Sequence, residues 1–442
     1  MFDDRKIFIF GMARSGYECA KLLSKYTNQI LVVDGKVQDE NHTKELEKLN
    51  VQVVISQTPE EILDDSYDFV IKNPGIIKTH PCVLKAKKLN IPVINEVEVA
   101  YHLLPKDISI IGITGSNGKT TTTTMIYEVL KKANLSAFLG GNIGYPVCSL
   151  VEKVKSNDIL VLEISDHQLV DVNDFKTNIS VLTNLSKVHI DFHGDYETYK
   201  NSKKKIFSHH TKEDLALINL ENEDSLKLTE DIQSTKEYFS SKQKADAYIR
   251  DNFIVYKGEN IISLDDIKIK GMHNYENIMC MIMVVKKFSV SNEIIKDYLK
   301  EFKGVEHRIE YVREKDGVTF YNDSKATNTD STIIALDSFM KPTILILGGL
   351  DRGHSFVPLT DHLSHVKKII CYGETKLRIK EYADSINIPC LVVDTLKEAT
   401  LKSYEDASRG DVVLFSPACA SWDQYDNFEI RGKEFKDTVN NL

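Results

Sequence analysis

The sequence predicts an α/β protein of three domains, each built around a mostly parallel sheet. Three observations predict it. Short apolar runs alternate with helix-period spacers in three successive blocks, the pattern of strand–helix–strand units. The first block opens on a strand ending in the glycine turn GMARSG (11–16), and the next strand ends in Asp34. The second opens on IIGITGSNGKTTT (110–122), an apolar strand running into a glycine loop, a Lys-Thr pair and a helix.

Each element follows from its residues. KIFIF (6–10), ILVVD (30–34), VQVVI (51–55), FVIK (69–72) and PVINE (92–96) read as buried strands, with helical segments such as YECAKLLSKY between some of them. This is a Rossmann-like N-terminal domain, residues 1–104. Its glycine turn and acid about 20 residues on are close to a dinucleotide fingerprint. Ala13 stands where the second glycine belongs, so the turn also reads as a strand–turn–helix that binds nothing. ISIIGIT (108–114), DILVLEIS (158–165), NISVLTNLS (178–186) and DLALINL (214–220) are buried strands of a second block, residues 105–303. Residues 244–270 read as short strands and turns. GMHNYENIMCMIMVVKKF (271–288) reads as a helix, first apolar on one side and then nearly all round. VTFYNDS, TILILGGL, KIICYG, CLVVD and VVLFSPA are the strands of a third, Rossmann-like block, residues 304–442.

Composition excludes several classes. Of the 442 residues, 42% are apolar, ample for several cores. The net charge is −9 with acids and bases mixed, which argues against a nucleic-acid partner. The 7 cysteines are scattered singly, which suits a reducing cytoplasm better than a disulfide framework. The start MFDDRKIFIF is acidic and too short in apolar residues for a signal peptide, and no run approaches membrane-spanning length. A cytoplasmic, monomeric protein is expected.

The glycine loop carries the chemistry. A phosphate cradle needs backbone N–H groups converging on anionic oxygens, with a helix N-terminus behind them. Gly115 and Gly118 supply conformational freedom, Lys119 a charge for the outer phosphates, and Thr120 a hydroxyl for magnesium. The common pattern has a glycine at position 113. Here Ile113 is the last buried strand residue, and the tight turn starts at Gly115. Residues Gly115, Ser116, Asn117, Gly118, Lys119, Thr120 and Thr121 are therefore read as an ATP site in a P-loop ATPase-type central domain.

The spacing T-G-x-N-G-K-T resembles the Mur ligases and their folylpolyglutamate synthetase relatives. LEISDHQL (162–169), NLSKVHIDFH (184–193), YKNSKKKIF (199–207), GMHNYENI (271–278), GVEHRIE (304–310), NDSKATNTDST (322–332), GGLDRGHSF (348–356) and SPACASWDQYDNFEIRGKEF (416–435) follow in the family's order. The last two, with NDSKATN, look like the branch that adds D-glutamate. The resemblance spans essentially the whole chain. It implies an ATP-dependent ligase that joins D-glutamate to UDP-N-acetylmuramoyl-L-alanine through an acyl phosphate, in cell-wall peptidoglycan synthesis.

The resemblance also implies roles. Lys119 and Lys325 would stabilise the transferring phosphoryl group. Thr120 and Glu163 would hold one magnesium. Glu163, His189 and a carbamylated Lys203, four residues after Tyr199, would hold a second. Asn277 would meet adenine, with Arg308 and Asp323 around ribose and phosphates. Asn142 would contact the muramoyl portion. Thr327, Arg352, Ser421 and Phe428 would surround D-glutamate. Gly11, Arg14, Ser15, Asp34, Lys36 and Asn73 would line the uridine diphosphate site.

Taken singly, several of these have plainer readings. A histidine after a strand is usually structural, and Lys203 among Lys200, Lys204 and Lys205 could be one solvated face. Two departures stand out. Where the family has Ser-Ser after Glu163 the run is Ser165-Asp166-His167, and Val188 stands before His189 where an acid is common. Extra charge at 166–167 would either perturb magnesium or face solvent. The rival classes are an NAD dehydrogenase built on the first glycine turn, which labelled NAD would test, and a non-catalytic nucleotide-binding protein. Retention of Lys119, Glu163, His189 and Lys203 argues against the second.

Overall fold

The structure is a computed structural model and describes residues 1–36 and 40–442. Its strands fall into three sheets. In the first, β1 (Ile7–Phe10), β2 (Ile30–Asp34), β3 (Gln52–Ile55), β4 (Phe69–Lys72) and β5 (Val93–Ile94) pair in parallel in the order β3-β2-β1-β4-β5. Strand order reverses between β1 and β4. The crevice beyond their carboxyl ends is where such sheets take ligands.

The second sheet has β6 (Ser109–Thr114), β7 (Ala137–Gly141), β8 (Ile159–Glu163), β9 (Ile179–Leu182), β10 (Leu215–Asn219), β11 (Thr235–Ser240), β12 (Ala247–Arg250), β13 (Phe253–Tyr256) and β14 (Glu259–Ser263). The order is β14-β13-β12-β11-β10-β9-β6-β8-β7, parallel except where β13 and β14 turn back as antiparallel hairpins. Strand β6, between β9 and β8, carries the glycine loop at its carboxyl end. Its Ile110, Ile111 and Ile113 are buried, each contributing roughly 1.5–3 kcal/mol relative to exposure.

The helix after the loop, Lys119–Lys132, opens on a run of threonines that are poor helix formers by propensity. Tertiary context overrides that preference. Thr120 to Thr123 are all buried, and Thr122 Oγ1 donates to Asn277 Oδ1 at 3.2 Å on the packed helix Met272–Lys287. That second helix is buried continuously from Asn277 to Val285, as its all-round apolar sequence requires.

The third sheet has β15 (Glu310–Lys315), β16 (Val318–Asn322), β17 (Thr343–Gly348), β18 (Val366–Tyr372), β19 (Cys390–Val392) and β20 (Val412–Phe415). Its order is β15-β16-β20-β17-β18-β19, with only β15 antiparallel. By compactness, residues 1–267 and 272–300 form one unit, and 268–271 and 301–442 another. Within the first unit one apolar cluster runs from Phe2 and Ile7 through Val97 to Val147 and Leu160, so the first two sheets share a core.

Some elements differ from expectation. The segment 51–55 is not a buried strand. Gln52–Ile55 lies at the sheet edge with Val54 and Ile55 exposed. In 92–96 the strand stops at Ile94, because the Asn95 side chain accepts from Val97 N and Glu98 N and caps the helix Glu96–Leu103. Strands β7, β11 and β15 were not anticipated. β7 contains a Gly-Gly pair, and β11 and β15 are rich in charge, so none shows an apolar run.

Candidate active site

The glycine loop after β6 is held from beneath by the loop after β9. Ser116 N donates to Asn184 O at 2.8 Å, and Asn117 N to Asn184 Oδ1 at 3.0 Å. Asn117 O accepts from Thr183 Oγ1 at 2.5 Å. Gly115 has φ +143°, and a Cβ there would stand 2.0 Å from Thr183 Oγ1. Gly118, at φ +82°, precedes the helix, and its Cβ would stand 2.2 Å from Asn277 Oδ1. Both glycines are therefore required twice, by backbone angle and by space. Gly115→Ala is expected to cost about 1–3 kcal/mol in strain alone and to abolish ADP binding; thermal unfolding and an ADP titration would check both. Lys119 Nζ curls back over the loop, donating to Gly115 O at 2.8 Å and Ser116 O at 2.9 Å.

Glu163 ends β8, beside β6, and is buried. Its Oε1 accepts from Asn142 Nδ2 at 2.7 Å. Its Oε2 is buried without a hydrogen-bond partner among the described residues, a costly arrangement unless something cationic is meant to sit there. Glu163 and the buried Thr120 hydroxyl both offer hard oxygen donors, the kind that suit magnesium.

Lys203 is fully buried on the helix Tyr196–Lys204. Its Nζ lies 3.4 Å from Thr114 Oγ1 and 3.3 Å from Asp166 Oδ1. Burial, then the nearby charge of Lys119, push its pKa down to about 7, against the pull of Asp166 and Glu163. The spacing from Tyr199 thus selected the one lysine of the cluster that is buried at the loop. Lys204 is partly exposed and pairs with Asp231 at 2.7 Å.

Asp166 faces no solvent. It is buried and gathers His189 Nδ1 at 3.0 Å, His193 Nε2 at 2.8 Å and His167 Nδ1 at 3.2 Å around Oδ2. Burial alone would raise its pKa; contacts with His167 and His189 and the Lys203 charge outweigh that and hold it well below the carboxylate range. In the sequence this position shows only as a departure from the family pattern, and nothing beside it marks Asp166 or His193 as an organiser. The signal was a second histidine in H-x-D-x-H.

In the first sheet, Gly11 (φ +93°) follows β1 and Asn73 follows β4 at the reversal. Asn73 Nδ2 donates to Ser15 Oγ at 3.2 Å. Asp34 accepts from Met12 N at 2.7 Å and Lys36 N at 3.1 Å, so its carboxylate organises its own loops where a dinucleotide site would turn it to a ribose. Arg14 Nη2 donates to Gly144 O at 2.5 Å, close to Asn142.

In the second unit, Asp323 to Thr327 follow β16, Arg352 follows β17, and Ser421 follows β20, all on the carboxyl-end edge of three adjacent parallel strands. Lys325 Nζ lies 5.6 Å from the Phe428 ring centroid, and the Arg352 guanidinium 4.8 Å from that of Trp422. Asp323 is buried, and burial raises its pKa to about 7, opposed by the Ser416 hydroxyl and Arg308. Arg308 keeps a buried Nε without a hydrogen-bond partner among the described residues. The buried Arg431, which sequence reasoning missed, donates to Ser324 O at 2.7 Å and Cys419 O at 3.0 Å and so ties two of these loops together.

Three family models cover the chain: the MurD-like N-terminal domain of Mur ligases over residues 5–95, the Mur ligase middle domain over 113–285, and the Mur ligase glutamate ligase domain over 307–419. The chain belongs to the Mur ligase family. It is 43% identical over 444 residues to the UDP-N-acetylmuramoylalanine–D-glutamate ligase of Streptococcus agalactiae serotype Ia, covering 100% of this chain and 98% of that one. The Geobacillus sp. (strain WCH70) ligase of the same name is 42% identical over 446 residues, with the same coverage. Among solved structures, the UDP-N-acetylmuramate–alanine ligase of Thermotoga maritima aligns with a TM-score of 0.62 at 20% identity over 99% of both chains. The MurF ligase of the same organism, in complex with ADP, aligns at 0.58 and 16% identity over 99% of this chain and 96% of that one. Both share the fold.

Proposed function

We propose that this chain adds D-glutamate to UDP-N-acetylmuramoyl-L-alanine with ATP, giving ADP, phosphate and a new amide. The names of the full-length relatives support the substrates. The observation that carries the chemistry is the convergence near one loop of Lys119, the Glu163 oxygen that has no hydrogen-bond partner among the described residues, and the buried amine of Lys203.

A carboxylate cannot lose oxide to an amine. Its oxygen must first take the γ-phosphoryl group, breaking the bond to the β-phosphate and releasing ADP. The amine of D-glutamate then attacks the acyl carbon, and phosphate leaves. What the protein supplies is position and charge. The loop N–H groups that Asn184 does not hold, with the helix Lys119–Lys132, bind the phosphates. Lys119 neutralises charge on the moving phosphoryl group, and Lys325 meets the intermediate. Asn277 and Asn142 orient nucleotide and acceptor, Arg308 and Asp323 flank the nucleotide, and Asp34, Arg14 and Asn73 steady the uridine diphosphate end. Thr120 and Glu163 would hold one magnesium, and Glu163, His189 and Lys203 a second; bound magnesium would supply charge neutralisation.

Lys203 fits this set only as a carbamate, because an ammonium would repel the cation. Its depressed pKa makes the neutral amine available to CO2 near neutral pH. The modified side chain would stand beside Asp166, and a bound divalent cation would offset the repulsion between the two anions.

Selectivity tests the substrate assignment. Arg352, Thr327, Ser421 and Phe428 would fix both carboxylates of the amino acid. D-glutamate is therefore expected to support turnover and L-glutamate to fall at least about 10²-fold lower in kcat/KM, because inversion strands a carboxylate or misdirects the amine. Preference for L-alanine, L-lysine or diaminopimelate in the same assay would overturn the substrate and leave the family untouched.

A further inference from the structure

We propose that Asp166, His167 and His189 form a binding site for a borderline divalent cation such as Zn²⁺ or Co²⁺, beside the oxygen-donor set at Thr120 and Glu163. Three features converge on it. The donors are already assembled: one carboxylate oxygen and two imidazole nitrogens all lie within 4.8 Å of one another. His189 Nδ1 and His167 Nδ1 stand 3.0 and 3.2 Å from Asp166 Oδ2. A tetrahedral ion with bonds of about 2.0–2.1 Å would space its donors roughly 3.3 Å apart, so small movements would admit it.

The oxygen is also over-subscribed. A carboxylate oxygen offers about two lone-pair directions. Asp166 Oδ2 already accepts from His189 Nδ1 and His193 Nε2, at 3.0 and 2.8 Å. A third nitrogen, on His167, presses against the same atom. A cation shared by the nitrogens and the oxygen resolves that crowding. Lys203 takes the other oxygen, Oδ1, and leaves Oδ2 to the imidazoles.

The backbone holds the donors in place. Ser165 caps the short helix Asp166–Leu169 in a reciprocal capping box with Gln168. His189 sits at φ +55° at the start of the helix Ile190–His193. The chemistry selects the ion: imidazole nitrogens favour zinc-like cations over magnesium, which prefers oxygen and an octahedral shell. Because His189 is shared with the proposed magnesium set, an ion here would draw it away from that set.

The test is a cobalt(II) titration of the full-length protein in excess Mg²⁺, read by visible d–d absorption. One equivalent should give bands of nitrogen-and-oxygen-ligated Co²⁺. His167→Phe should weaken that binding at least about tenfold; the side chain is partly exposed, so the fold should persist, as a thermal transition would verify. His209→Phe, an exposed histidine elsewhere, should leave the titration unchanged. Absence of the bands, or tight binding that His167→Phe leaves intact and Glu163→Gln removes, would overturn the proposal. The site stands on its geometry and not on the ligase reading, which phosphate release tests separately.

Discussion

Lys119→Ala is expected to cut turnover by about 10²-fold or more, the scale for losing a preorganised charge contact. The geometry explains why the loss should be large. The ammonium is clamped over the loop by two carbonyls, Gly115 O and Ser116 O, at 2.8 and 2.9 Å. It needs little reorganisation to meet a transferring phosphoryl group. The side chain is only partly buried, and the loop keeps its bonds from Thr183 and Asn184, so the fold should survive. Single-turnover phosphate release beside a thermal unfolding curve would check both halves. Unchanged turnover in a folded variant would remove this loop from the reaction.

Lys203→Ala should be comparably damaging, for a different reason. In the proposed mechanism the side chain is an anion, and alanine removes a metal ligand. Formate or acetate added to the variant should restore part of the activity by occupying the vacated space and supplying the missing oxygens. That rescue separates a lost ligand from a damaged fold, which no small acid would repair. Asp166 keeps its histidine contacts in the variant, so its charge is not left bare. Lys204→Ala is the neutral comparison, since that lysine makes a partly exposed pair with Asp231 worth about 1 kcal/mol at most. Lys205→Ala is not neutral. Its Nζ donates to Val170 O at 2.6 Å and Val172 O at 3.3 Å, steadying the segment after Asp166–Leu169. Full activity of Lys203→Ala would exclude the carbamate.

Much of this was legible in the sequence because the chemistry needs particular residues at fixed steps along one element. Gly115, Gly118, Lys119 and Thr120 sit on one strand–loop–helix, so their spacing carries their geometry. Tyr199 to Lys203 is one helical turn, which is why the register found the buried lysine. The strands β1, β6 and β20 declared themselves as apolar runs because both their faces are covered.

What was illegible depends on neighbours distant in sequence. Nothing local says that Asp166 is buried. Its environment comes from His189, His193 and Lys203, which the folding of β9 and the following helices brings to it. Arg431 reads as an ordinary helix residue until the loops after β16 and β20 close around it. β7 and β15 lack an apolar signature because they hold few large apolar side chains, and their strand character comes from pairing with β8 and β16. The edge position of β3 likewise follows from sheet order, which the alternation of Val and Ile cannot encode.

ATP cleavage is expected to be coupled to joining D-glutamate to a uridine-diphosphate-linked acyl acceptor. Its most direct measurement is phosphate release from ATP alongside incorporation of labelled D-glutamate, with acceptor and amino acid supplied together and singly. One phosphate per amide formed is expected, with sustained release only when ATP, UDP-N-acetylmuramoyl-L-alanine and D-glutamate are all present. Sustained release without the acceptor, or release with no label in the product, would contradict it.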